Sequence, residues 1–67
     1  MIEIRTRVSS IVWGFGRVEQ IEDGIAYVRF SSDPWVLHGY KIDRLEVDPR
    51  TGTISCDWDD VSKYDPY

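Results

Sequence analysis

A chain of 67 residues, 42% of them hydrophobic and 13% aromatic, makes one domain with a thin core and is too apolar to be intrinsically disordered. Its single cysteine, Cys56, excludes an internal disulfide, and no Cys/His cluster calls for a structural metal or any other cofactor. The net charge of −4 sits mainly in residues 57–67, where four acids face one base (net −3), leaving −1 on residues 1–56. A body without basic excess disfavours a nucleic-acid partner, because affinity grows with the number of phosphates neutralised. Residues 1–12 lack a long apolar stretch, and no run approaches the ~20 apolar residues of a membrane helix. The expectation is a cytoplasmic protein with no membrane partner.

In chain order, Ile2-Glu3-Ile4-Arg5-Thr6-Arg7-Val8 alternates with period two and predicts a half-buried strand. Ser9-Ser10 is expected to break it, and Ile11-Val12-Trp13 to resume it before Gly14-Phe15-Gly16. Arg17–Ile21 and Ile25–Phe30 flank Glu22-Asp23-Gly24, a strong hairpin signal because glycine accepts the positive φ of a tight turn. Ala26, Val28 and Phe30 share one face and are assigned inward; Ile25, Tyr27 and Arg29 take the other. Ser31-Ser32-Asp33-Pro34 reads as a loop, with Pro34 stopping any ladder.

Trp35–Ile42 predicts another strand, bent at Gly39, and Asp43-Arg44-Leu45 a single 3₁₀-like turn. Leu45–Val47 and Thr53–Cys56 flank Asp48–Gly52 as a second hairpin ending in a positive-φ glycine. No segment keeps helical apolar periodicity for three turns. The fold class is all-β, with five or six short strands closing into a small barrel over residues 1–56. Residues 57–67 form an acidic-aromatic tail carrying Trp58, Tyr64 and Tyr67. It is expected either to lay its rings over the barrel with its carboxylates in water, or to dock into a basic groove on a partner.

Trp13-Gly14-Phe15-Gly16-Arg17-Val18, the Asp23-Gly24 turn and Ala26-Tyr27-Val28-Arg29-Phe30 together resemble the opening of SH3-like barrels of the Tudor and KOW type. Similar glycine-and-valine arrangements occur in RNA-polymerase-interaction modules such as those of CarD-like proteins and of some helicase C-terminal domains. The resemblance covers roughly residues 8–47 and implies an SH3-like (Tudor/KOW-type) barrel. It also implies an aromatic cage as a candidate site, built from Trp13, Phe15, Tyr27 and Trp35 and binding a methylated cation through cation–π attraction.

Two further surfaces stand on the residues themselves. Arg5, Arg7, Arg17 and Arg29 occupy outward positions of three consecutive strands, and with Tyr27 they make a candidate nucleic-acid stripe. The exposed rings Trp13, Phe15, Tyr27, Trp35 and Trp58 are candidate anchors for a protein partner, and the edge strands 2–8 or 53–56 could be extended by a partner's strand. Catalysis has no evident machinery: His38 reads as an exposed loop imidazole and Cys56 as a small buried side chain. The expected function is a non-enzymatic protein-interaction module, transcription-associated by resemblance. The alternatives are a nucleic-acid-binding barrel using the arginines, or a small phage-like inhibitor docking through its tail. A homo-oligomer is compatible with either.

Overall fold

The computed structural model describes residues 2–66; Tyr67, counted above with the tail, lies outside them. The chain folds as β1 (Arg7–Ser10), β2 (Gly14–Glu22), β3 (Ile25–Phe30), β4 (Asp33–Lys41), a 3₁₀ turn (Ile42–Arg44), β5 (Glu46–Val47), β6 (Ile54–Cys56) and β7 (Val61–Tyr64). It is all-β, with no α-helix among the described residues. The strands form one seven-stranded mixed sheet in the order β5-β6-β1-β2-β3-β4-β7. Only β1 and β6 run parallel. The expected closure is not formed: β5 and β7 remain at opposite ends of the sheet.

The β2–β3 hairpin follows from its turn chemistry. Asp23 and Gly24 both hold positive φ, 51° and 74°, which gives a two-residue turn whose twist matches the strands it joins. Ala26, Val28 and Phe30 point inward as expected and join Val8, Val18, Tyr40 and Ile54 in the core, with Ile2, Trp13, Ile42, Leu45 and Cys56 packed at its border. The 3₁₀ turn and the β5–β6 hairpin also lie where the sequence puts them, Gly52 holding φ 73°.

The N-terminal expectation fails. Residues 2–6 are not strand: the backbone turns at Ile4-Arg5, with Arg5 at φ 75°. Thr6 explains it, because its hydroxyl accepts from Glu3 N–H at 3.0 Å and its own N–H donates to Glu3 O at 3.1 Å. Local side-chain bonding here outcompetes the apolar alternation. Conversely, Ser9 and Ser10 continue β1, and the chain turns only over Ile11–Trp13. The buried Ser10 hydroxyl accepts from the N–H groups of Val12 and Trp13, both at 3.1 Å, and so builds that turn. Pro34 lies inside β4 rather than in a loop, but at a register shift where no ladder N–H is required.

Candidate functional site

The C-terminal segment supplies a strand the sequence did not suggest. β7 pairs antiparallel with β4, Val61 opposite Gly39 and Tyr64 opposite Val36. A Cβ on Gly39 would strike the Val61 side chain, so glycine is what lets β7 approach. Acids on either side of β7 secure it. Asp60 accepts from the Lys41 N–H at 2.9 Å and pairs with Arg44. Asp65 accepts from Arg29 Nη2 at 2.7 Å through its carboxylate and from Nη1 at 2.8 Å through its carbonyl.

Asp59 Oδ2 lies 3.1 Å from His38 Nδ1, while His38 Nε2 lies 3.0 Å from Asp33 Oδ2. Each ring nitrogen thus faces a carboxylate oxygen. His38 is therefore no exposed loop imidazole: it is 3% exposed, in β4, packed against Trp13 (ring centroids 4.4 Å apart) and Phe30 (5.5 Å). The tail thus inverts one of its expected forms. Asp59, Asp60 and Asp65 bind the sheet, whereas Trp58 and Tyr64 face solvent.

The arginines are brought together in part. Arg7 stands opposite Arg17, and Arg17 opposite Arg29, in one cross-strand row. Arg5 drops out, because it sits in the N-terminal turn. Arg29 is engaged by its surroundings. Glu19, the extra residue of a β-bulge between Val18 and Gln20, accepts from Arg29 Nε at 2.7 Å. The β4 bulge presents the Pro34 carbonyl to the same guanidinium. These bonds, Glu19 foremost, raise the Arg29 pKa above its ordinary value, and the side chain is 9% exposed. Among the described residues neither Arg7 nor Arg17 has an ion-pair partner. They line a cleft of about 370 Å³ together with Phe15, Glu19, Arg29, Ser31 and Pro34.

The five candidate rings differ in exposure and in what they touch. Trp13 lies against His38 at the core border, with its Nε1 buried and lacking a hydrogen-bond partner among the described residues. Phe15 is 74% exposed on the cleft, and Trp35 and Trp58 are exposed elsewhere. Tyr27 is half-buried on β3, with Lys63 Nζ 5.8 Å from its ring centre. No ring contact joins Trp13, Phe15, Tyr27 and Trp35 to one another among the described residues. Cys56 is half-buried at the end of β6; burial pushes its thiol pKa up, and burial with Cys56 nearby pushes the Tyr40 phenol up.

Sequence reasoning missed Asp33 and Asp59 as partners of His38. Their signal was a lone imidazole within an apolar run, whose ring nitrogens need polar partners once it is buried. Among the described residues no group of His, Cys, Asp and Glu is arranged to hold a metal ion. None of their helices is long and apolar enough to cross a membrane. Comparison with known proteins returned no matching family model, no matching curated protein and no matching solved structure.

Proposed function

We propose that this chain is a non-enzymatic protein-interaction module that takes a partner's strand on the free edge of β7. The observation that carries the reading is the state of that edge. Asp65 N–H donates to Trp35 O at 3.0 Å. With the β4–β7 register, alternation turns Val61 and Lys63 toward β4 and leaves the N–H and C=O of Ser62 and Tyr64 facing outward. All four residues of β7 are exposed, and the exposed rings of Trp58 and Tyr64 lie at its two ends.

Edge strands are usually blunted by lysine, proline or shortness. Lys63 instead reaches back over Tyr27, so its charge does not shield the edge. The opposite edge is β5, two residues long and followed by Asp48-Pro49, which is blunt by the same criteria. The edges expected from sequence, residues 2–8 and 53–56, are not available. Residues 2–6 are a turn, and β1 and β6 each have strands on both sides.

Main-chain pairing supplies affinity in strand addition, and rings such as Trp58, Tyr64 and Trp35 supply specificity. The resemblance of residues 8–47 to SH3-like barrels of the Tudor and KOW type supports an interaction role in a transcription or nucleic-acid-processing complex. An SH3-like (Tudor/KOW-type) character of the fold is part of the same proposal. The tail-docking alternative is weakened, because Asp59, Asp60 and Asp65 are occupied within the chain.

The test is affinity capture from nuclease-treated lysate of the source cells, wild type against Ser62→Pro. Proline at 62 removes an outward N–H while leaving the β4-facing groups in place. A protein held by the wild type and lost by the variant supports strand addition; equal retention by both overturns it.

A further inference from the structure

The geometry points to a second binding site, distinct from the β7 edge: the cleft between Arg7, Arg17 and Phe15 takes a short single strand of nucleic acid. Arg7 and Arg17 are direct cross-strand partners on β1 and β2. Like charges placed opposite one another oppose sheet formation. Among the described residues neither guanidinium has an ion-pair partner, and Glu19, the acid in the same cleft, is bonded to Arg29. In a chain of net charge −4, two adjacent guanidinium groups without ion-pair partners make a local positive field that attracts an anion.

Phe15 gives the second half of the recognition. It lies two residues before Arg17 on the same strand and so projects from the same face, lining the same cleft with its ring 74% exposed. An exposed ring beside paired arginines fits a ligand that carries an aromatic base next to a phosphate. A carboxylate-bearing peptide would satisfy the arginines and leave the ring without a stacking partner. A duplex keeps its bases stacked inside and cannot offer one to Phe15. The volume of about 370 Å³ is that of a small-ligand site, which accommodates about one nucleotide unit rather than a long tract. Arg29, fixed by Glu19, Asp65 and Pro34, forms a rigid wall of the cleft.

The experiment is fluorescence anisotropy of a labelled twelve-nucleotide oligothymidylate against the wild type, Arg17→Gln, Phe15→Ala and Ser62→Pro. An oligoglutamate peptide of matched charge serves as comparator. Two phosphate contacts on a single strand give a salt slope of about −1.4, so the Kd weakens about sevenfold between 50 and 200 mM salt. Arg17→Gln halves the slope, leaving a change of about 2.6-fold. Phe15→Ala weakens binding by about 5- to 150-fold. Ser62→Pro binds the oligonucleotide like the wild type, which separates this site from the strand-addition edge.

Thermal unfolding of each variant confirms that it is folded. No binding of the oligonucleotide at 50 mM salt, equal binding of oligoglutamate, or wild-type affinity in Phe15→Ala would each overturn the proposal.

Discussion

Gly39→Ala tests whether the docking of β7 rests on one missing methyl group. A Cβ at position 39 would collide with Val61 Cγ2 and stand 3.0 Å from both Ile25 Cγ2 and Tyr27 Cε1. Overpacking of this kind costs about 1–3 kcal/mol. Replacing glycine within a strand returns about 0.5–1 kcal/mol of backbone entropy. The single variant should therefore lose about 1–2 kcal/mol, or on the order of 4–16 °C in Tm for a domain of this size. Val61→Ala alone should lose about 1 kcal/mol, because its side chain is already 41% exposed.

In the double variant the worst collision is gone. Ile25 and Tyr27 need yield only a few tenths of an ångström, so Gly39→Ala becomes close to neutral on the Val61→Ala background. The cycle should show a favourable coupling of about 1 kcal/mol or more. Urea unfolding followed by tryptophan fluorescence reads it, since Trp13 is packed on His38 beneath β4. Additivity within about 0.5 kcal/mol would refute the reasoning, because it would mean that residues 39 and 61 do not meet in solution.

Three further outcomes follow from buried polar groups. Arg29→Lys should lose about 2 kcal/mol by urea titration, because one ammonium cannot span Glu19, Asp65 and the Pro34 carbonyl together; Asp65→Asn in the same background should add little. Ser10→Ala strips the acceptor from the Val12 and Trp13 N–H groups and should lose about 1–2 kcal/mol, visible as a lower Tm and faster amide exchange at both positions. Cys56 and Tyr40 both have raised pKa values, so the unfolded chain ionises first, near the ordinary values of 9.0 and 10.0. Stability should then be level in these two groups below about pH 9 and fall as pH rises above it. In Cys56→Ala the fall should begin about one unit later, as read by urea midpoints at stepped pH; an unchanged onset would contradict a raised pKa of the half-buried thiol.

What the sequence made legible is what local chemistry decides. The Asp23-Gly24 turn fixes the β2–β3 register, and with it the inward set Ala26, Val28 and Phe30. Gly52 does the same for the β5–β6 hairpin. What stayed hidden depends on groups distant in the chain. Parallel pairing of β1 with β6 has no local signature, and it brings Val8 beside Ile54 across an interval filled by four strands. β7 has no apolar alternation to announce it. It is a strand because Gly39 leaves room and because Arg44 and Arg29 present guanidinium groups, and His38 a ring nitrogen, to three acids of the tail. The N-terminus errs the other way: Ile2 to Val8 alternates like a strand, yet the backbone of Val18 accepts from Arg5 N–H and donates to Thr6 O, holding a turn in place.

The candidate nucleic-acid surface shows the same division at the level of single side chains. Alternation alone puts Arg7, Arg17 and Arg29 on one face, and the pairing of β1, β2 and β3 sets them opposite one another. Alternation cannot say which of them carries an uncompensated charge. Two bulges decide that, one releasing Glu19 from the β2 ladder and one turning the Pro34 carbonyl inward from β4, and both meet at Arg29. In a regular β2, Glu19 would lie two residues from Arg17 on the same face, a natural partner for it. Drawn instead to Arg29, it leaves Arg17 and Arg7 facing each other across the strands with Phe15 beside them. The positive character of that cleft is thus a consequence of where the register slips, in a protein whose overall charge has the opposite sign.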